Sequence, residues 1–403
     1  MRLHRNFIQA LAITASLVCG TYGAEPPTQN ADLSFAFRFF SRATETLKPT
    51  DNFVFSPISA ERVVGAIALG AEGKTKREII KALQRDENDD VWLEQTSKLY
   101  RALREAPETA TFGGLWLQED VARVQTDFLA RLVNASIIDC VLFEDFTSRD
   151  ARAKINRIIA EKTGNQISEF FSEDEIRIDA RAILADVVAF DGKWSKPFDP
   201  ESTTERDFVD VNGDKTPAPQ MRTTLRCLYS ETNDGQYVEI PYQDARFSFV
   251  AYLPRADLKY RDFESTLTDE KFRLAREETS ETEIELFVPK FSVSTKLDLS
   301  STLKKLGVVE AFGDSAKFDG IDEGADLKLD KINQGVVLSL DESGTKASAT
   351  TSGSFVPKSL PFVTCDLSRP FVYAIRENSS GELLFLGRFV AVEPTVKTTT
   401  DAK

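Results

Sequence analysis

Histidine, the residue that most often moves protons in enzyme active sites, occurs once in the 403 residues, as His4. His4 lies in a leader that we expect to be removed, because Arg2 and Arg5 precede the apolar run Phe7–Gly20. The remaining chain then has no histidine. This excludes serine and cysteine nucleophiles that are activated by histidine, and it excludes histidine metal sites.

The leader has the pattern of a secretory signal, and the small residues Thr21 and Gly23 favour cleavage after Gly23. We therefore expect a signal peptide at 1–23 and an extracellular protein. An uncleaved anchor is the alternative, although the apolar run is short for a membrane span. Loss of the leader changes the formal charge from −14 to −16, because Arg2 and Arg5 leave with it. That charge argues against nucleic acid or an anionic membrane as partner.

Three cysteines remain after the leader, which itself carries Cys19: Cys140, Cys227 and Cys365. An odd number of widely spaced cysteines does not make a disulfide framework and leaves at least one thiol free. The fold must then be held by its core, for which 41% apolar residues suffice. The sequons at Asn134 and Asn378 predict a glycoprotein if the chain is secreted.

Short motifs resemble catalytic signatures but lack the right surroundings. Gly73–Thr75 ends like a phosphate-binding loop, but the required earlier glycine is Ala68. Ser301 and Lys304 have the S-x-x-K spacing of β-lactamase-like acyl enzymes, and Lys162–Gly164 reads K-T-G. Here, however, the K-T-G precedes the S-x-x-K, which is the reverse of the order in those enzymes. We expect these residues to be structural, in a protein that is not an enzyme and needs no cofactor and no metal.

The segment from Asp341 to Pro361 is rich in serine, threonine, alanine and glycine, and it follows a predicted strand that ends at Leu340. A flexible linker is the simplest interpretation. However, no second domain follows, and a loop of roughly twenty residues in a compact domain is usually functional or disordered.

The same segment also has the alternation of a β-strand from Thr345 to Val356. No proline interrupts this run, and Gly344 before it can act as a hinge. Twelve residues would span about 40 Å at ~3.3 Å each. One face would carry the small residues Thr345, Ala347, Ala349, Thr351 and Gly353, and the other the polar residues Lys346, Ser348, Thr350 and Ser352. The segment can therefore be an exposed loop or an inserted strand.

Helical patterns dominate the first half of the chain and strand patterns the second, which predicts an α+β fold in one domain at 32–394. Polar tails at 24–31 and 395–403 flank it. The predicted helices are Asp32–Leu47, Ser59–Leu69, Thr75–Leu83, Val91–Leu103, Ala151–Lys162 and Leu299–Leu306. The predicted strands are Gly113–Gln118, Ala182–Phe190, Tyr237–Pro241, Ala245–Leu253, Glu283–Phe291, Gln334–Leu340, Phe371–Arg376 and Leu383–Val390.

Seven short motifs occur in a fixed order between Leu33 and Pro394: Asn52–Ser59, Leu69–Thr75, Phe190–Trp194, Val288–Phe291, Leu306–Phe312, Arg369–Phe371 and Leu384–Arg388. In this order they resemble the serpin family of serine protease inhibitors. The resemblance implies three β-sheets, eight or nine helices and an exposed reactive-centre loop at 342–364.

The family's mechanism is a kinetic trap in which a protease forms an acyl-enzyme at a bait bond and the cleaved loop then enters the main sheet. The family's bait residue lies fourteen positions after the hinge glycine, which implies Lys358 followed by Ser359. Lysine fits the acidic pocket of a trypsin-like protease, the expected covalent partner of a monomeric inhibitor. The alternative is cleavage after Phe355 or Val356, which would suit chymotrypsin-like or elastase-like proteases.

The resemblance also assigns residues to the region where the family's sheet opens. Ser56 and Pro57 correspond to the segment beneath the sheet, and Trp194 to the tryptophan at its top. Lys290 and Glu342 match an ion pair near the loop's entry point, for which a weak surface contact is the alternative.

Two residues of that region depart from the family pattern. Asp186 stands where asparagine is usual and Gln334 where histidine is usual, and we expect an Asp186–Gln334 hydrogen bond to replace the family's contact. Val91–Arg104 has no dense basic face, so strong activation by heparin is not expected.

A non-inhibitory carrier or chaperone is the alternative function. The small residues at Thr345–Thr351 favour the inhibitor, because non-inhibitory members usually carry bulkier or charged ones there. An acyl-transferring hydrolase is a remote third class, since histidine and an ordered lysine motif are both missing.

Overall fold

The computed structural model describes residues 32–85, 88–118, 124–165, 167, 169–173, 175–324, 327–345 and 363–392. Several predictions fall outside these ranges, namely those for the signal peptide, for the two tails, for the bond between Lys358 and Ser359, and for Ala347, Ala349 and Thr351 on the insertion face.

Nine α-helices lie within the described residues. They are α1 (Ser34–Thr44), α2 (Pro57–Gly70), α3 (Gly73–Leu83), α4 (Asp89–Glu105), α5 (Thr126–Asn134), α6 (Ala151–Lys162), α7 (Tyr260–Thr266), α8 (Asp269–Glu277) and α9 (Leu299–Lys305). Local signals set several of their ends. The Ser56 side chain accepts a hydrogen bond from the Ser59 N–H, and Pro57 occupies the first position of α2. Gly307 follows α9 with a φ of 99°, as expected where a helix stops.

Fourteen strands complete the described fold. They are β1 (Phe53–Phe55), β2 (Thr109–Gln118), β3 (Cys140–Glu144), β4 (Ala182–Phe190), β5 (Thr204–Val209), β6 (Lys215–Glu231), β7 (Gly235–Pro241), β8 (Phe247–Pro254), β9 (Ser280–Pro289), β10 (Phe291–Asp298), β11 (Asn333–Leu340), β12 (Val363–Asp366), β13 (Phe371–Glu377) and β14 (Leu383–Phe389).

The predicted elements are present, and the bounds of α6 and β4 agree with the prediction. The strand predicted at Glu283–Phe291 is wrong at its end, because β9 stops at Pro289 and Phe291 begins β10. The helix predicted at Thr75–Leu83 begins two residues earlier, because α3 starts at Gly73. The sequence analysis missed the short helices α5, α7 and α8. It also missed the strands β1, β3, β5, β6 and β12, and all of β10 except Phe291.

The strands form three hydrogen-bonded sheets, which confirms the predicted α+β architecture. A nine-stranded sheet has the order β1-β14-β13-β8-β7-β6-β9-β12, with β5 paired to β6. A three-stranded sheet has the order β3-β2-β4, and β10 pairs with β11 in a two-stranded sheet.

The nine-stranded sheet separates two parts of the core. On one side, Phe249 and Tyr373 pack in a cluster with Val188 of β4 and Leu338 of β11. On the other, the helices pack through a second cluster that includes Phe37 of α1. The small sheets therefore rest on a rigid apolar layer.

β4 and β11 lie side by side but belong to different sheets, with no ladder of hydrogen bonds between them. We call the boundary between β4 and β11 the seam. Helix α2 packs beneath it, against β4. Among the described helices, none has both the length and the apolarity needed to cross a membrane.

Gly387 of β14 provides a stability test. A Cβ there would lie 2.5 Å from the Phe53 carbonyl oxygen and 2.6 Å from the Tyr373 ring, so Gly387→Ala should lower the free energy of unfolding by about 1–3 kcal/mol. At Gly335, a strand glycine whose Cβ would lie 3.6 Å from Phe170, the same change should cost less than about 0.5 kcal/mol. Urea unfolding of both variants measures the difference, and a larger loss at Gly335 would contradict the packing described.

Candidate functional site

The residues predicted beneath the sheet lie under the seam, and Gln334 of β11 is bonded to the N-terminus of α2. The Ser56 N–H donates to Gln334 Oε1 at 2.9 Å, and Gln334 Nε2 donates to the Ser56 carbonyl at 2.9 Å. Both residues are buried. The structure therefore brings together the predicted residues Ser56, Pro57 and Gln334.

Asp186 of β4 has a different partner from the one predicted. Its Oδ2 accepts a hydrogen bond from Arg62 Nε of α2, and the side chains of the pair are only 2% and 1% exposed. The expected Asp186–Gln334 bond is wrong, because Ser56 occupies both polar atoms of the Gln334 amide. Each strand that borders the seam is therefore tied to α2 and not to the other strand.

The Arg62 guanidinium is held in an unusual environment. It lies 3.8 Å above the centre of the Tyr100 ring, and its two terminal nitrogens have no hydrogen-bond partner among the described residues. Burial lowers the pKa of Arg62. Sequence reasoning missed this residue, although a charged side chain inside the mostly apolar helix α2 was a signal that a buried partner existed.

The upper end of the seam is closed by the chain that leaves β11. Glu342 accepts a hydrogen bond from Thr203 at 2.9 Å and forms an ion pair with Lys290 at 2.7 Å, so the predicted ion pair is present. Burial by itself would raise the pKa of Glu342, but the hydrogen bonds from Lys290 and Thr203 lower it overall. Glu342 is therefore ionised at neutral pH, and its carboxylate is held in place by Lys290 and Thr203.

Trp194 anchors the same segment from the other side of the seam. Its backbone N–H donates to the Ser343 carbonyl at 3.0 Å, and its indole N–H donates to the Asp341 carbonyl at 2.9 Å. The indole stacks on the Tyr242 ring with 4.7 Å between ring centres. The tryptophan predicted at the top of the sheet thus holds the chain segment that leaves β11 at Asp341 and Ser343.

Thr345, the first residue of the predicted insertion face, is 1% exposed. Its N–H donates to the Gly192 carbonyl at 2.8 Å, and its hydroxyl lies 2.6 Å from the Tyr242 hydroxyl. A Cβ at Gly344 would overlap the Gly192 carbonyl oxygen. Gly344 is therefore needed for the close approach of the two chain segments, and the chain meets the top of the seam at Thr345.

The lower end of the seam is crossed by the segment that leads from α6 into β4. Glu175 of this segment forms an ion pair with Lys296 of β10 at 2.5 Å and accepts a hydrogen bond from Asn333 of β11 at 3.1 Å. Burial acts to raise its pKa, but hydrogen bonds from Lys296 and Ser172 lower the pKa to about 2. Glu175 thus connects the two small sheets across the seam.

A cavity of about 550 Å³ lies beside this lower end. Val63 and Ile67 of α2, Leu184 of β4 and Ile332 before β11 contribute to its lining. Protein interiors are normally close-packed, so a space of this size under a seam is available to incoming side chains.

The short motifs that resemble catalytic signatures have structural surroundings. The Ser301 hydroxyl donates to the Asp298 carbonyl within α9, and Thr163 is bonded to the Ile159 carbonyl at the end of α6. Lys74 is an exposed residue of α3 paired with Glu310 at 2.6 Å. The described part of the chain brings no three potential metal-binding side chains together.

The three cysteines are all free thiols. Burial raises the pKa of Cys227 and of Cys365 to about 12, and it also raises the pKa of Cys140. These thiols are therefore protonated and poorly nucleophilic at neutral pH.

The two sequons differ in their surroundings. Asn134 is exposed at the end of α5. The Asn378 side-chain amide donates to the Ala245 carbonyl at 2.9 Å and to the Ser248 hydroxyl at 2.8 Å. A glycan on that nitrogen would remove a donor that the β13–β14 turn uses.

Comparison with known proteins agrees with this geometry. The family model described as "Serpin (serine protease inhibitor)" matches residues 30–392, and the chain belongs to this family. Human serpin I2 is 25% identical over 387 residues, which cover 93% of this chain and 94% of the relative.

Solved structures have the same fold. The native-state crystal structure of tengpin, a thermophilic serpin, matches with a TM-score of 0.81 and 25% identity over 91% of this chain and 97% of that one. The complex of thyroxine-binding globulin with thyroxine matches with a TM-score of 0.79 and 24% identity, covering 89% of this chain and 97% of that one. The family is one of protease inhibitors and not of enzymes.

The buried pair beneath β4 can be tested by substitution. Asp186→Asn and Arg62→Met each leave one charge buried without its counter-charge, so each should lower the free energy of unfolding by about 3–5 kcal/mol. The double variant that combines Arg62→Met with Asp186→Asn leaves neither charge buried, so it should lose clearly less than the sum of the two single losses.

Urea unfolding of the three variants measures this coupling. Arg177→Met, which breaks the exposed pair with Asp179, serves as the control and should leave the unfolding midpoint unchanged. Additive losses at Arg62 and Asp186 would mean that the two side chains do not act as a pair.

Proposed function

We propose that this chain is a secreted suicide inhibitor of trypsin-like serine proteases that acts by inserting its cleaved reactive loop into the seam. One observation carries the proposal. The strands β4 and β11 share no hydrogen-bond ladder, and the chain that leaves β11 turns into the top of this seam at Thr345.

The edges of the seam support insertion of a strand. Unpaired strand edges are templates for another strand, and an inserted segment can form ladders with both β4 and β11. The small side chains expected on one face from Thr345 to Gly353 can pack above α2 without steric conflict. Ladder formation on two edges favours the inserted state and makes the step effectively irreversible.

The bait bond is proposed at Lys358–Ser359. The protease serine hydroxyl would attack the Lys358 carbonyl, the amine of Ser359 would leave, and an ester would join Lys358 to the protease. Insertion of the loop then carries the protease along the seam before water can hydrolyse the ester. The signal peptide at 1–23 would direct the protein outside the cell, where Asn134 is the better acceptor for a glycan.

The alternative is a non-inhibitory carrier or chaperone. The similar fold of thyroxine-binding globulin, which was solved in complex with thyroxine, supports this alternative. The small residues at Thr345–Thr351 favour the inhibitor, because a carrier does not need an insertable loop.

Incubation with trypsin tests the bait residue. We expect a complex that survives boiling in detergent, together with a C-terminal fragment whose first residue is Ser359. Lys358→Phe should abolish the complex with trypsin and permit one with chymotrypsin, because phenylalanine does not pair with the acidic pocket. Both products can be identified by electrophoresis and mass spectrometry.

Two results would contradict this proposal in different ways. Cleavage after Lys358 without a complex, and without a rise in the thermal unfolding temperature of the cleaved protein, would favour the carrier. A complex whose fragment starts at Val356 or Pro357 would keep the trapping mechanism and move the bait bond.

The insertion face can be tested at two neighbouring positions. Thr345 is already buried, so Ala347, the next residue on the same predicted face, is the better probe. Ala347→Arg should turn the inhibitor into a substrate, since an unpaired charge beneath the sheet is strongly unfavourable. Ser348→Arg places the same charge on the face expected to meet solvent and should still trap trypsin.

The ratio of complex to cleaved inhibitor in gel assays measures both variants. Equal trapping by Ala347→Arg and Ser348→Arg would refute the assigned face.

A further inference from the structure

A second cleft, of about 650 Å³, lies between α1, α7 and the end of α9, and shares no lining residue with the seam or the hinge. Its accessible apolar lining includes Leu47 and Leu306, which are partly buried and pack on the buried side chains of Phe37 and Leu267. Small-molecule sites usually have volumes of about 300–1,000 Å³. The cleft therefore has the size of such a site.

The floor of the cleft is held rigidly by Arg388. This residue donates to both carboxylate oxygens of Glu264, at 3.1 and 2.9 Å, and to the carbonyls of Lys48 and Asp51 at 2.8 and 3.0 Å. The Tyr260 hydroxyl also donates to Glu264, at 3.0 Å. The charges of Arg388 and Glu264 thus cancel each other, and neither needs a ligand.

The rim of the cleft carries more cations than anions, with Arg38, Arg42, Arg261 and Lys305 against the carboxylates of Glu45 and Asp269. Arg42 and Lys305 share one carboxylate, Glu45, at 2.6 and 3.7 Å. Arg38 and Arg261 form no ion pair with any residue that the structure describes, and the Arg38 guanidinium donates only to the Ala82 carbonyl at 3.3 Å. A positive rim is unexpected in a chain whose formal charge is −14.

We propose that this cleft binds an amphipathic organic anion with a flat apolar body and one carboxylate or sulfonate group. The body would cover Leu47 and Leu306, and the acid group would accept hydrogen bonds from Arg38 and Arg261. An inorganic anion would leave this apolar lining unused, and a neutral ligand would leave the arginines unpaired. The inference is independent of protease inhibition.

Titration of the full mature chain with 8-anilinonaphthalene-1-sulfonate, followed by calorimetry, tests the site. We expect binding with one-to-one stoichiometry at this cleft. The double variant Arg38→Ala with Arg261→Ala removes two charge-assisted contacts and should weaken binding tenfold or more. Arg149→Ala, which removes an exposed arginine outside the cleft, should leave the affinity within twofold.

The apolar cavity beside the seam could also take up the probe, so an uncharged analogue is needed as a control. N-phenyl-1-naphthylamine has the same rings without the sulfonate, and its binding should not respond to the arginine substitutions. Near-ultraviolet circular dichroism checks the fold of the double variant, and Arg38→Lys with Arg261→Lys should recover part of the affinity because it keeps the charges.

An affinity of the double alanine variant within twofold of the unaltered chain would overturn the proposal. Equal binding of the charged and uncharged probes, or displacement of the sulfonate by inorganic sulfate at the same concentration, would also overturn it.

Discussion

The other features of the site depend on one constraint, which is that β4 and β11 share no hydrogen-bond ladder. Strand edges that face each other normally pair, because buried N–H and C=O groups require partners. Here each strand is bonded instead to the helix beneath, β11 through Gln334 and Ser56, and β4 through Asp186 and Arg62. The two strands are thus held at positions set by α2, and the edges stay available.

The contacts that hold β4 and β11 in place are polar, and their polarity affects the stability of the protein. A buried ion pair such as Arg62–Asp186 recovers little of what its desolvation costs, so an apolar pair would give a more stable protein. A charged pair does, however, oppose any displacement of β4 from α2 that would separate the charges in a medium of low dielectric constant. Glu175 at the lower end and Glu342 at the upper end are ion-paired carboxylates as well. The arrangement favours a defined position over maximal stability.

Much of the fold follows from local patterns in the chain. Ala151–Lys162 and Ala182–Phe190 were predicted with the observed bounds, because helix periodicity and a continuous apolar run are strong local signals. The strand predicted at Glu283–Phe291 runs past the end of β9, since Pro289 and Lys290 interrupt the strand pattern for only a short distance before β10 begins. The short helices α7 and α8 were missed because seven to nine residues give little periodicity.

The site was predicted only in part, for a different reason. The family resemblance correctly paired Lys290 with Glu342, and it placed Ser56 and Gln334 beneath the sheet. It could not show that Arg62, more than a hundred residues before Asp186, would take the place of Gln334 as its partner. Glu175 was missed in the same way, since its partners come from distant strands whose positions depend on the whole fold.

The position of Thr345 has a consequence for the way in which a strand would close the seam. Side chains of a strand alternate between its two faces, so a slip by one residue exchanges the faces completely. With Thr345 already seated against Tyr242, a strand that continued from it would direct every odd-numbered residue inward and Lys346 outward. The first hydrogen-bonded position of the proposed strand would then be set before the loop is cleaved, and the rest could pair in sequence without searching among alternative registers.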